Sequence, residues 1–80
     1  MRESVLELAN HMELVLKKND HKMGWSGLSI KTLLCMVKNE VDELEEALDN
    51  CNPVETIKEA VDVANFCMMI RENIVRRNLE

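Results

Sequence analysis

Four carboxylates carry the chemistry that this chain could perform: Glu40 and Glu43 in NEVDELEEAL, and Glu59 and Asp62 in KEAVDVANFCMMI. Each pair is spaced i, i+3, and at roughly 100° per residue such positions share one face of a helix. Glu40 falls in the middle of an arc formed by Leu33, Met36, Val37, Val41, Leu44, Ala47 and Leu48, with Glu43 at its edge. The second segment repeats the arrangement: Glu59 falls among Val63, Phe66, Cys67 and Ile70, and Asp62 lies at the boundary with the polar side. An ionised carboxylate turned toward an apolar interior is costly unless it is paired or metal-bound. Two of them at matching places on consecutive helices would be accounted for by a divalent cation held between the helices. Asp42, Glu45 and Glu46, by contrast, read as a solvated acidic face.

The elements that must hold these groups follow from periodicity and punctuation. From about Glu3 to Asn19, residues Val5, Leu8, Ala9, Met12, Val15 and Leu16 form one stripe of helical period. The stretch NDHKMGWSG breaks that period and contains both glycines, so it reads as a loop, with Ser29 as N-cap of a second helix running to about Asn50. Asn52-Pro53-Val54-Glu55 is a compact start signal: an N-cap, a proline at the first helical position, and a glutamate placed to close a capping box. A third helix, 53 to about 77, is apolar around more than half its circumference and should be the most buried element. The short connection before it makes helices two and three antiparallel neighbours, which lets Glu40 and Glu43 face Glu59 and Asp62. The expected fold is therefore all-α, a single domain over residues 1–80 with helices at about 3–19, 29–50 and 53–77.

Composition narrows the class. Eighty residues bury only about 60% of their unfolded surface, so the core is thin and partner copies of the chain are expected. Six Met, one Phe, one Trp and no Tyr suit helices packed on aliphatic side chains, and a net charge of −5 argues against a nucleic-acid polymer as partner. Three cysteines without C-x-x-C spacing suggest neither a disulfide framework nor a zinc site, and fit a reduced, cytoplasmic setting. Cys35 and Cys67 read as small packing residues. No apolar run approaches the ~20 residues that would span a bilayer, and no signal peptide is visible at the start.

With these residues in place, E-x-x-E, fifteen intervening residues and E-x-x-D, together with GWSGLSIKTLLCMVKNEVDELEEAL and EAVDVANFCMMI, resemble the MazG-type all-α nucleoside triphosphate pyrophosphohydrolases. The similarity runs from about Lys22 to Glu72 and is to the short, single-domain members. It implies a four-helix bundle completed by oligomerisation, as a dimer or tetramer. It also implies hydrolysis of a (d)NTP to the monophosphate and pyrophosphate, with Glu40, Glu43, Glu59 and Asp62 as ligands for Mg2+ or Mn2+. Asn39 and Lys58 stand where many or some members carry a further acidic residue. Water attacking a polyanionic phosphate needs hard, oxygen-ligated cations and a carboxylate to take its proton, and Glu40 or Glu43 is the candidate base.

Other residues have two readings each. Trp25 either stacks on a nucleobase or plugs the end of the bundle. Asn65 either orients a ligand, reading a base or sugar edge, or serves a helix contact or the surface. Lys22, beside the Gly-Trp loop, is the preferred triphosphate contact among Lys22, Lys31, Lys38, Arg71, Arg76 and Arg77, most of which would be solvated surface. His11 and His21 read as hydrated edge residues, and Met68 and Met69 as core, with Met69 able to line a pocket. The nearest alternative activity is that of a phosphoribosyl-ATP pyrophosphohydrolase-like enzyme. An alternative of another class is a non-enzymatic helical oligomer that binds metal or nucleotide.

Overall fold

The computed structural model describes residues 1–20 and 24–79, and its elements are three α-helices: α1 Glu3–Lys18, α2 Ile30–Asp49 and α3 Pro53–Leu79. The described residues contain no strand, and none of the helices is long and apolar enough to cross a membrane.

Each helix boundary has a local cause. Glu3 in the first turn of α1 and Lys17 and Lys18 in its last turn complement the helix dipole. Asn19 closes α1, its side-chain amide donating to the Val15 carbonyl at 3.1 Å. At the start of α2, the Ser29 hydroxyl accepts from the Thr32 amide at 3.1 Å, as the N-cap reading expected. The turn into α3 is a Schellman motif: the Cys51 amide donates to the Leu48 carbonyl at 3.0 Å and the Asn52 amide to the Ala47 carbonyl at 3.1 Å. Cys51 takes the left-handed conformation that this motif requires, at φ 52°.

Asn52 then caps α3 by accepting from the Glu55 amide at 3.1 Å. Only half of the expected capping box forms. The Asn52 amide is already spent on Ala47, so the Glu55 side chain has no donor to reach back to and lies instead 3.5 Å from Lys58.

The three-residue turn returns the chain, and α2 packs antiparallel along α3 with Leu33, Ala47 and Val61 sealed between them. Helix α1 packs on α3 alone, with no contact to α2. It runs in the same direction as α3, since Met12 meets Asn65 and Trp25, just beyond α1, meets Asn73. The apolar arcs are wider than the surfaces that cover them. Val41 and Leu48 on α2 and Val5 and Leu8 on α1 remain exposed, as do Cys35 and Cys67, which are therefore not packing residues within this chain.

Candidate functional site

The α2–α3 hairpin brings three of the four motif carboxylates together. Glu40, Glu43 and Glu59 each offer an oxygen, and all three oxygens lie within 4.8 Å of one another. Their exposure is graded: Glu43 is open to solvent, Glu40 is half-buried and Glu59 is 4% exposed. Asp62 is not part of this triad. It is half-buried one turn further along α3, on the wall of an adjacent cleft.

Burial and crowding set the protonation of the cluster. Burial, with Glu40, Glu55 and Glu43 beside it, pushes the Glu59 carboxyl up to about 8. Glu40 is also raised, first by burial, although a proton shared from Glu59 eases its own charge. Burial raises Asp62 as well; Lys58 partly offsets this and Glu43 adds to it. One oxygen of Glu40 and one of Glu59, the Oε2 atoms, are buried without a hydrogen-bond partner among the described residues. Buried acceptors without donors are costly. A hard divalent cation fits this donor set, since it takes oxygen ligands and supplies the missing charge. Glu40, Glu43 and Glu59 would hold it.

Beside the triad, α1 and α2 part over α3 and leave a cleft of about 490 Å³. Trp25, Leu28, Phe66 and Met69 give it an apolar wall, and Asp62 and Asn65 a polar one. Asn65 is 4% exposed and donates its amide to the Met12 carbonyl at 3.4 Å, while its Oδ1 is buried without a partner. Trp25 is half-buried in the cleft wall. Lys22 and His21 lie outside the described residues. Among the other cations considered, Arg76 is engaged with Glu72 at 2.8 Å, whereas Lys31, Lys38 and Arg71 are exposed.

Two residues at the site escape the sequence reading. Asn73, 3% exposed, donates its side-chain amide to the Trp25 carbonyl at 3.2 Å and to the Leu28 carbonyl at 3.3 Å, tying the loop that carries the cleft's aromatic wall to α3. Its burial had a signal, an asparagine continuing the stripe of Phe66 and Ile70 at helical spacing, but its carbonyl partners had none. The other is Glu55, one turn before Glu59. It faces the buried carboxyl because its capping role is taken, and with Glu43 and Glu46 it lines a second, polar groove at the α2–α3 turn.

No protein-family model matches the chain, and no solved structure does. The chain is similar to an uncharacterized protein of Archaeoglobus fulgidus, 31% identical over 71 residues that span 89% of this chain and 76% of that protein. The three-helix chain described above therefore belongs to the same family as that archaeal protein.

Proposed function

We propose that the protein is a magnesium-dependent nucleotide pyrophosphohydrolase of the MazG-like type, converting a (d)NTP to the (d)NMP and pyrophosphate. The observation that carries the reading is the buried Glu59 carboxyl, which meets Glu40 and Glu43 between two helices, has an unpartnered oxygen, and adjoins an aromatic-walled cleft. Magnesium, when bound, would supply positive charge to the bridging and leaving phosphate oxygens. Manganese has the same ligand chemistry.

The chain's own groups divide the remaining work. Glu40 and Glu59, the more buried pair, would hold the cation. Glu43, on the open side, or Glu40 takes the proton of the water that attacks the α-phosphorus, while the bond from that phosphorus to the β-bridging oxygen breaks and pyrophosphate departs. Asp62 lies between triad and cleft and orients the substrate. Trp25 stacks on the base and Asn65 hydrogen-bonds it, so the base occupies the cleft and the phosphates lie toward the carboxylates.

A homo-oligomer belongs to the same reading. The chain exposes 6235 Å², whereas a compact 9.2 kDa monomer would expose about 4,900 Å². The difference exceeds the ~800 Å² that each partner buries in a standard interface. Exposed Leu34, Val41 and Leu48 run down one stripe of α2, and Val54 and Ile57 are exposed near the start of α3. Three free, exposed thiols fit a reducing, cytoplasmic setting.

The test is to incubate the protein with each NTP and dNTP plus magnesium and measure monophosphate and pyrophosphate. Product from at least one is expected. Turnover of phosphoribosyl-ATP alone would replace this substrate class, and no product from any would leave a non-enzymatic oligomer that binds metal or nucleotide. Light scattering at micromolar concentration should give at least twice the 9.2 kDa chain mass; a 9.2 kDa species would remove the oligomer.

A further inference from the structure

The cleft's amides have a fixed polarity. The Met12 carbonyl can only accept, so the amide nitrogen of Asn65 must face it, at 3.4 Å, and the oxygen must face the other way. That oxygen is buried and has no partner among the described residues. Asn19, also in the cleft lining, repeats the pattern: its nitrogen donates to the Val15 carbonyl at 3.1 Å, so its oxygen is not the group held there. Among the described residues the remaining polar lining is Asp20 and Asp62, which as carboxylates also only accept. The Asn65 and Asn19 amide nitrogens each keep a second hydrogen and the Trp25 indole N–H is a further donor, whereas among the described residues that line the cleft the buried side-chain atom without a partner is the Asn65 oxygen.

From this unpartnered acceptor we infer that Asn65 is a specificity-determining residue: the cleft selects a ring ligand that presents an N–H or O–H donor to the Asn65 oxygen, either an amino or imino hydrogen of a nucleobase or a hydroxyl of its sugar. The inference rests on the reading that the cleft takes a nucleoside, and deepens it. Both burial and charge support it. A buried acceptor recovers its lost hydration only when a donor arrives, so a ligand without one leaves the penalty standing. Asp20 and Asp62 also disfavour an anionic tail in this cleft, so that a neutral ring enters it in preference to the phosphates.

The experiment follows Trp25 fluorescence while uncharged nucleosides are titrated without metal. The pairs are adenosine and purine riboside, cytidine and pyrimidin-2-one riboside, uridine and 3-methyluridine, and each natural nucleoside against its 3′-deoxy form. In at least one pair, loss of the donor weakens binding about tenfold or more. A base pair that responds assigns the donor to the base, and a response confined to the 3′-deoxy forms assigns it to the sugar. Asn65→Leu narrows that gap to less than about threefold, and Asn65→Asp, which keeps an oxygen, preserves it. If Asn65→Leu fails to fold, the wild-type pairs and Asn65→Asp still decide. Equal binding within every pair, no binding of any nucleoside, or a gap that survives in Asn65→Leu overturns the inference. Triphosphate turnover with no such discrimination would leave the proposed function standing and remove this assignment alone. Discrimination without turnover would do the reverse.

Discussion

Glu59 and Asn73 lie toward opposite ends of α3, and both are almost sealed from solvent, 4% and 3% exposed respectively. Their surroundings differ. Asn73 has its amide engaged on two backbone carbonyls, and nothing further is required of it. Glu59 meets other carboxylates and keeps an oxygen without a donor, although its own helix offers Lys58 one residue away. A buried polar side chain that is satisfied within the chain holds structure together. One that is left unsatisfied costs stability, and that cost is recovered when a ligand binds.

The largest effect that could break this comparison is on turnover. Glu40→Gln, Glu43→Gln, Glu59→Gln and Asp62→Asn should each lower it at least about a hundredfold in a magnesium assay with the preferred triphosphate. Asp42→Asn and Glu45→Gln, on the exposed face, should leave it within about twofold. Equal losses in both groups would mean that net charge, and not the triad, sets activity.

Stability should then separate the two ends of α3. Asn73→Ala leaves the Trp25 and Leu28 carbonyls without their donor and should cost about 1–3 kcal/mol in urea unfolding, with a red-shifted Trp25 emission as the loop loosens. Glu59→Gln should do the opposite in the metal-free protein at alkaline pH, because it removes a charge held among other charges. Destabilisation by both would place Glu59 among the structural groups.

A change in the metal-free protein is also expected from pH. The Glu59 carboxyl is pushed up from 4.5 to about 8, and Glu40 is raised beside it, so the folded chain holds protons that the unfolded chain releases. Such a group contributes stability that is fully present below its ordinary value and is lost as pH rises through the folded one. Without metal, melting temperature should therefore fall between pH 4.5 and about 8. Magnesium should flatten the slope, because it binds the deprotonated cluster and replaces the protons. Identical profiles in magnesium and in chelator would contradict a cation site.

The smallest effect concerns the turn that brings α2 back onto α3. Cys51 sits at φ 52°, where any side chain is strained. Cys51→Gly should raise the urea midpoint by the equivalent of about 0.5–1 kcal/mol, the relief being partly offset by a freer unfolded chain.

Much of this was legible from residue types and spacing, because the signals were local. Ser29 and Asn52 cap the helices they were expected to cap, and the helix ends lie within two residues of those expected. The facing of Glu40 and Glu43 toward Glu59 followed from period and a short turn. Whatever depends on contacts distant in the chain was not legible. Asn73 reaches backbone carbonyls 48 and 45 residues away, and a carbonyl has no residue identity to read. Period likewise identifies an apolar arc but not how much of it a neighbouring helix covers, which is why Val41 and Leu48 are exposed despite lying on the arc. Asp62 parted from the triad for a similar reason: its spacing puts it near Glu59, but its depth on α3 aims it at the cleft.

Helix α1 buries none of its residues and touches only α3. In hydrogen exchange its amides should therefore open as a separate unit, ahead of the α2–α3 hairpin. The two halves of the site then have different lifetimes. The carboxylates belong wholly to the hairpin and persist through such an opening, whereas the cleft loses Val15, Leu16 and Asn19 from its wall when α1 lifts. If the proposed function holds, a nucleoside against α1 would be freed by that fluctuation while a cation between α2 and α3 would stay in place. On that proposal the fold would impose an order of release, base first and cation last.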